Sequence, residues 1–471
     1  MRPNAPKKGK QMSDIEIREG GYGANVMAVE PGGIEAIPDQ DRHGKARDLF
    51  ALWTSPNLEF ATIYVGALGM FFGLSFTQAV IGVILGNGLG ALFQYFLTQD
   101  GPRYGVTQMV LSRAAFGRVG NIFPSISNAL GSGIGWFAVN SVSGAFALNT
   151  LTHMNLTLSL LIVAIAQVLI AFVGHNLVQT VEKYLMPYLV VVFAIAAIIV
   201  FTKHGVSNSE NWHAPGAFFL FVGAVFGYSV GWNPFASDYS RYLPKSEDPK
   251  KAGMAAALGL LVAPIILEVV GIAAVSAGMH SYGANTNPVG EFTAFLPGWL
   301  GKLILIGIVL GSICANVLNI YSGSMSFLAA GVKLKTHWLR ASTAILFGVL
   351  GYLLAHWAMG NPANNLENFL LVVAYWIGPW LGIMFADRLM RGGSSVQGLL
   401  YSHQENPAGP FAFITAVILS VALFADQVYY TGYFPKHNPG LGDIGFFVGF
   451  ALAFFLYTIL HPLMGTRKTG N

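Results

Sequence analysis

Six residues, Ser125, Asn128, Ser132, Trp136, Asn140 and Ser143, recur every three or four positions in NIFPSISNALGSGIGWFAVNSVSGAFAL, a stretch otherwise apolar. That spacing stacks them on one face of a helix. Trp136, one turn before Asn140, sets an aromatic plane beside a side-chain amide that both donates and accepts hydrogen bonds. Such a pair can hold a flat polar heterocycle by stacking and edge contacts. The same face also suits hydrogen bonding between packed membrane helices, with Gly131, Gly133 and Gly135 admitting a neighbour. From spacing alone, glue and site both stay open.

GSICANVLNIYSG repeats the theme with Ser312, Asn316 and Asn319. Two amides inside an apolar run cost free energy unless they face protein or a wet cavity, so packing and ligand contact are both admitted here. Glu268, in LLVAPIILEVVGIAAV, is a carboxyl near the middle of another run, where it must be protonated or paired. It is the first candidate for a titrating group, with a hydrogen-bonded structural acid as the plain alternative. Glu59 is a weaker candidate, placed at a run's inner end where snorkelling to the interface would explain it. In GWNPFASDYSRYLP, Asn233-Pro234 must break a helix, because proline removes a donor and clashes one turn back. Asp238 and Arg241, three apart, are positioned to pair or to grip a neighbouring loop at the cytoplasmic water boundary, a structural or gating role.

The elements that position these residues must be membrane helices. Apolar residues make up 54% of the chain, charged residues 10%, and the mean hydropathy is +0.55, far from the soluble average. Runs long enough to span cover about 58–74, 77–97, 122–150, 157–174, 183–202, 215–236, 252–278, 299–331, 338–357, 366–391, 409–429 and 443–463. Twelve spans with both termini inside put 23 of the 26 Lys and Arg on the inner side, leaving Lys203, Lys302 and Lys436 outside, as positive-inside orientation demands. The net charge of +4 is then topological, and nucleic-acid binding is not expected. The single Cys314 permits neither a disulfide framework nor a cysteine metal site. Residues 1–50 read as a flexible cytoplasmic tail without a removable signal peptide, 51–465 as the transmembrane domain, and 466–471 as a cytoplasmic C-terminal tail.

Irregular backbone at membrane depth is tolerated only where it is buried or lines a cavity. A weak point at Gly66-Ala67-Leu68-Gly69, matched by the break near 232, heads two halves of a ten-helix core. That arrangement points to an inverted-repeat secondary transporter with its site at the repeat interface: a first repeat over about 56–202, a second over about 215–391, and extra helices over about 409–463. The fold class expected is all-α and polytopic.

GPRYGVTQMVLSRAAFG (101–117), GWFAVN (135–140), ASDYSRYLP (236–244), ANVLNIYS (315–322) and IGPWLGIMFAD (377–387) together resemble the nucleobase:cation symporter-1 family, in its purine-cytosine permease branch. The resemblance implies a leucine-transporter-type fold of 5+5 inverted repeats plus two helices. It implies a nucleobase sandwiched between aromatic residues of helices three and six, with amides of helices three and eight reading its edge. Carried over, Trp136 and Asn140 match the helix-three pair, Trp232 is the helix-six aromatic, and Asn316, with Asn319 as alternative, is the helix-eight amide. Asn140 is shorter than the glutamine of hydantoin-type members, which leans toward cytosine or purines. Helix ten reads FADRLM, without the aromatic expected after the aspartate. Family sodium sites draw on helix-one carbonyls and helix-eight hydroxyls, yet helix eight here offers only Ser312 as a coupling hydroxyl, so the expected coupling ion is a proton rather than sodium.

The expected activity is nucleobase import, cytosine or purines, by proton symport and alternating access. Helix ten, with Pro379 inside it, is the candidate flexible gate. The alternative keeps the fold and changes the substrate to allantoin, hydantoin, uracil or a vitamin, with sodium coupling admitted. No phosphate-binding glycine loop is present, so ATP-driven pumping and a nucleotide cofactor are not expected. An enzyme would need clustered His or carboxylate ligands, whereas His175, His204, His213, His280 and His437 stand near run ends. A channel shares this composition and differs in failing to accumulate solute. The expected partners are the lipid bilayer and a small-molecule substrate, and nothing in the sequence assigns an oligomeric state.

Overall fold

The computed structural model describes the backbone of residues 33–173, 175–204, 215–279, 284–332, 336–400, 404–464 and 467–468, and their side chains except at 172–184, 203–204, 336–341 and 467–468. The expectations placed on residues 1–32, His213, His280, Lys333 and Lys335 lie outside these.

Lipid offers no partner to a backbone N–H or C=O, so an apolar run must satisfy its own by coiling. Among the described residues, each of the twelve runs falls on helical structure. Helix one is Asp48–Thr54 and Phe60–Phe71; helix two, Phe76–Thr98; helix three, Ile122–Leu130, a π-turn over Gly131–Trp136, and Phe137–Thr152; helix four, Leu156–Val173; helix five, His175–Ile199. Helix six is Ala217–Val230 and Ala236–Ser240; helix seven, Pro249–Ser276; helix eight, Gly298–Ala329; helix nine, Thr336–Ala358; helix ten, Pro362–Arg391; helix eleven, Ala408–Phe424; helix twelve, Gly445–Met464. Several starts are written locally. Ser75 and Gln78 form a capping box for helix two, and Asp248 and Asn361 cap helices seven and ten ahead of a proline in the first turn, satisfying donors the helix cannot. Beside the helices, Gln404–Glu405 and Arg467–Lys468 form one short antiparallel strand pair.

Helix seven packs on helices one and two, and helix six on helix two. Helix eight packs on three, four and five, and helix nine on three and four. Helices ten and eleven both lean on helix twelve. Large apolar side chains left uncovered, such as Ile84, Leu92, Leu169, Ile345, Ile418 and Phe455, ring the outer helices, where hydrocarbon is their solvent.

Three expectations are corrected. Helix one does not yield at Gly66–Gly69, which is regular helix; Gly66 there lets the Glu268 backbone carbonyl approach where a Cβ would lie 1.9 Å from it. The break is earlier, at Ser55–Glu59, where Ser55–Asn57 tightens to a 3-10 turn and Glu59 is extended. Helix one therefore begins at Asp48, ahead of its apolar run. Second, the chain from Gly33 to Arg47 is no loose tail. Ile37 N donates to Gly105 O at 3.0 Å and His43 N to Tyr242 O at 2.6 Å, and the Arg42 guanidinium donates to Pro102 O at 2.9 Å. Ile34, Ala36 and Ala46 enter the apolar core with Val106 and Leu243. Third, Asp238 and Arg241 are not at a water boundary: both are buried beneath this strap.

Candidate functional site

Both broken helices meet at one level of the molecule. In helix one, Pro56 lacks a donor and Asn57 turns its side chain back, its Nδ2 donating to Trp53 O at 2.7 Å; Thr62 Oγ1 then donates to Asn57 O at 2.7 Å. These bonds satisfy groups that regular helix would have paired. In helix six, Gly231-Trp232 separates the two pieces, and Asn233 Nδ2 is held by Gly90 O at 3.2 Å and Gln94 Oε1 at 2.9 Å. Trp232 Nε1 donates to Asn57 Oδ1 at 3.1 Å, tying one break to the other.

Trp136 and Trp232 face each other, their ring centroids 6.4 Å apart and their planes within 14°. Tyr228 and Phe369 meet Trp136 edge-on at 5.7 and 5.0 Å, and Trp53 meets Trp232 at 5.9 Å, so the pair is held rigidly by aromatic edges. Gly231 is required here: a Cβ would stand 2.6 Å from the Trp136 ring.

The amides assemble alongside. Asn140 Nδ2 donates to Asn316 Oδ1 at 2.9 Å, as does Asn319 Nδ2 at 3.2 Å. Asn316 Nδ2 donates to Phe137 O at 2.9 Å and Ser141 Oγ at 3.3 Å. Ser141 in turn donates to Gln167 Oε1 at 2.7 Å, and Gln167 Nε2 to Ser312 O at 3.3 Å. The far end of the Asn140 amide lies 2.9 and 3.2 Å from the two carboxyl oxygens of Glu59. Glu59 is 2% exposed, so the expectation of a snorkelling acid is corrected: the helix break brings its carboxyl inward. Thr62 Oγ1 and Tyr228 OH, 2.5 Å apart, continue the polar path between helices one and six.

The remaining sequence candidates divide. Glu268 is fully buried and accepts from Asn87 Nδ2 at 2.7 Å, between helices two and seven. The Ser312 hydroxyl donates to Val309 O of its own helix at 2.8 Å and lies against Gly144 of helix three. Asp238 Oδ1 accepts from Gln108 N at 2.8 Å. Arg241 donates to Gly33 O at 2.9 Å and Tyr321 OH at 2.9 Å. Pro379 sits within unbroken helix ten, its ring against Gly449 of helix twelve.

An apolar cavity of about 290 Å³ opens on the face opposite the strap, lined by Phe60, Tyr64, Val139, Phe146, Leu366 and Phe369 among others. Phe369 both lines it and abuts Trp136, so this ring stands between cavity and tryptophan pair. Asn57 was not singled out from the sequence and Glu59 only as the weaker titrating candidate, while Tyr228 and Phe369 were missed as well. For the first two a signal existed, since Ser55-Pro56-Asn57 is turn chemistry just ahead of an apolar run; the aromatic rings carried none.

Comparison with known proteins places the chain. Residues 36–449 match the family model described as permease for cytosine/purines, uracil, thiamine, allantoin. The putative purine-cytosine permease YxlA of Bacillus subtilis is 29% identical over 458 residues, covering 94% of this chain and 98% of that protein. The purine-cytosine permease fcyB of Emericella nidulans is 27% identical, covering 93% and 89%. Among solved structures, Mhp1, a nucleobase-cation-symport-1 family transporter in a closed conformation with bromovinylhydantoin bound, superposes with a TM-score of 0.70 at 20% identity, covering 93% of this chain and 95% of that one; this likeness carries the leucine-transporter-type fold. The chain is a multi-pass membrane transporter, not an enzyme, and belongs to the nucleobase:cation symporter-1 family of permeases.

Proposed function

We propose that this protein imports a nucleobase, cytosine or a purine, by proton symport and alternating access, with the base held between Trp136 and Trp232 and its edge met by Asn140, Asn316 and Asn319. The observation that carries this reading is the tryptophan pair. A ring sandwiched at van der Waals distance on both faces needs planes about 7 Å apart, so the two near-parallel indoles, with centroids 6.4 Å apart, must part slightly to admit one. The amides beside it supply donors and acceptors that an apolar sandwich lacks, and the names of the full-length relatives point to the same substrates. Trp232 joins the pair from the helix-six break, so a base seated there would feel the movement of both repeats.

The proposed architecture is twelve spans with both termini cytoplasmic: a tail over 1–50 whose last third straps the inner face, a first repeat over about 56–202 extended to begin at Asp48, a second over about 215–391, extra helices over about 409–463 and a short C-terminal tail over 466–471. Packing supports the five-helix shift. Helix one on seven and helix six on two exchange under it, as do helix four on eight and helix nine on three. Glu268, hydrogen-bonded to Asn87 between helices two and seven, takes the role of the structural acid that its sequence position also admitted. Helix ten is the proposed outer gate, with Phe369 as its bulky element and Pro379 as its weak point. Asp238 and Arg241 hold the inner closure.

Uptake of labelled cytosine into proteoliposomes, with inward proton and sodium gradients imposed separately, tests the reading. Accumulation driven by protons alone and lost in both Trp136→Ala and Asn140→Ala is the expected result; accumulation undiminished in either variant rejects the site. If cytosine and purines fail while allantoin, hydantoin, uracil or a vitamin competes for the site, the substrate assignment moves and the fold stands. Asn140→Gln sharpens that choice, because a buried amide left unpaired discriminates strongly between ligands.

A further inference from the structure

The amide chain beside the tryptophans has a direction, and the direction reaches a carboxyl. It is anchored at one end by two backbone carbonyls, which only accept. Because Ser312 O takes its hydrogen bond from Gln167 Nε2, Gln167 presents Oε1 to Ser141, and Ser141 must spend its hydroxyl proton there. Ser141 Oγ and Phe137 O then both accept from Asn316 Nδ2, which turns Asn316 Oδ1 toward Asn140. Asn140 answers with Nδ2 at 2.9 Å, leaving Oδ1 facing the Glu59 carboxyl oxygens at 2.9 and 3.2 Å. Two acceptors do not hold this distance unless one carries a proton, so in this orientation Glu59 is a carboxylic acid donating to Asn140.

The amide has a second orientation. Turned over, Asn140 gives its N–H groups to both oxygens of an ionised Glu59, and its Oδ1 gains Asn319 Nδ2 at 3.1 Å. It then sets oxygen against oxygen at Asn316, 2.9 Å away. Asn316 cannot follow without turning its own oxygen on Phe137 O. Each charge state of Glu59 thus selects one orientation of a residue that the proposed function puts on the nucleobase. Among the described residues, helix three presents the neutral Asn140 to Glu59, helix eight sets Gly311 against its Cβ, helix six presents the Tyr228 hydroxyl through Thr62, and the nearby Glu268 of helix seven is bonded to Asn87.

We infer that Glu59, in the helix-one break, binds the transported proton, and that its protonation sets the Asn140 amide and so the hydrogen-bonding edge offered to the nucleobase. The proton enters as the carboxyl O–H and leaves to water when the inner side opens, the amide turning over as it goes. This inference rests on the nucleobase reading for its substrate but not for its proton.

Two measurements on the full-length protein separate the two. The first is cytosine affinity across pH by tryptophan fluorescence, in wild type, Glu59→Gln and Glu268→Gln, together with proton-driven uptake and cytosine counterflow. Coupling between two sites is commonly about 5- to 150-fold, so wild-type affinity should change by that order between ionised and protonated Glu59. In Glu59→Gln it should be flat, with counterflow retained and proton-driven accumulation lost; Glu268→Gln should keep the pH dependence. Should Glu59→Gln fold poorly, Glu59→Asp, which keeps a titrating group, must show a pH-dependent affinity with a displaced midpoint. The second is an infrared pH titration of the protonated-carboxyl band, which needs no ligand: a component present in wild type and missing in Glu59→Gln supports the proton assignment even if wild type binds no cytosine, in which case only the substrate reading falls. An unchanged band, or wild-type pH dependence and accumulation in Glu59→Gln, overturns the inference.

Discussion

The two helix breaks solve one problem with opposite materials. The break in helix one is built from Ser55, Pro56, Asn57 and Glu59, in which a proline and an amide that bonds its own backbone lead to a carboxyl. The break in helix six is built from Gly231, Trp232 and Asn233, a gap filled by indole rings and closed by one amide against helix two. One break is equipped to carry charge and hydrogen bonds, the other to carry a flat surface. Their meeting, through Trp232 Nε1 and Asn57 Oδ1, is where the proposed substrate, with its π-face and polar edge, would find both.

The largest way to test this division is to remove the surface. Trp232→Ala should weaken nucleobase binding by about 1–3 kcal/mol, the worth of stacking one base on an aromatic, read by equilibrium binding; an unchanged Kd would place the sandwich elsewhere. Filling the gap comes next. Gly231→Ala drives a methyl to within 2.6 Å of the Trp136 ring, and overpacking of this kind costs about 1–3 kcal/mol; a lowered Tm and reduced uptake are expected, and wild-type values in both would show that the break gives way freely. Cutting the tie between the breaks is smaller. Asn57→Ala deletes the bonds to Trp53 O and Trp232 Nε1, for a loss of about 1 kcal/mol per bond, seen in denaturation and in a looser Trp232 fluorescence environment.

The smallest effect lies away from both breaks, at the strap. Asp39 pairs with Lys245 at 2.7 Å, both more than half exposed, and the Lys245 hydrogen bond holds the Asp39 carboxyl below its ordinary 3.8. A lowered folded-state value stabilises the folded form while the carboxyl is ionised, so the contribution is complete well above pH 3.8 and fades as pH falls below it. Exposure keeps it under about 1 kcal/mol. Asp39→Asn should therefore change stability slightly at neutral pH and not at all in strong acid; a large shift at neutral pH would make this pair part of the inner closure.

Much of the proposed site was legible one residue at a time. Trp136, Asn140, Asn316 and Asn319 announced themselves as polar side chains at helical spacing in apolar runs, and Asn233-Pro234 announced the break in helix six by proline chemistry alone. Helix one misled because glycine at 66 and 69 reads as weakness in a sequence, whereas in the fold it is close packing against helix seven. Asp238 and Arg241 misled for a related reason: charge was read as exposure, and the strap that buries them is Gly33–Arg47, some 200 residues away in the chain.

Sequence by itself determined what depends on neighbours along the chain. It determined that lipid is the solvent, where the helices run and which faces are polar, because hydropathy and the 3.6-residue turn act locally. Tertiary structure decided which of those faces meet. Glu59 and Asn140 stand 81 positions apart and Asn140 and Asn316 stand 176 apart, so neither spacing nor residue type could bring a carboxyl, three amides and two indoles together. Only the packing of helices one, three, six and eight does so, because a hydrogen bond is fixed by distances of about 3 Å that no local pattern encodes.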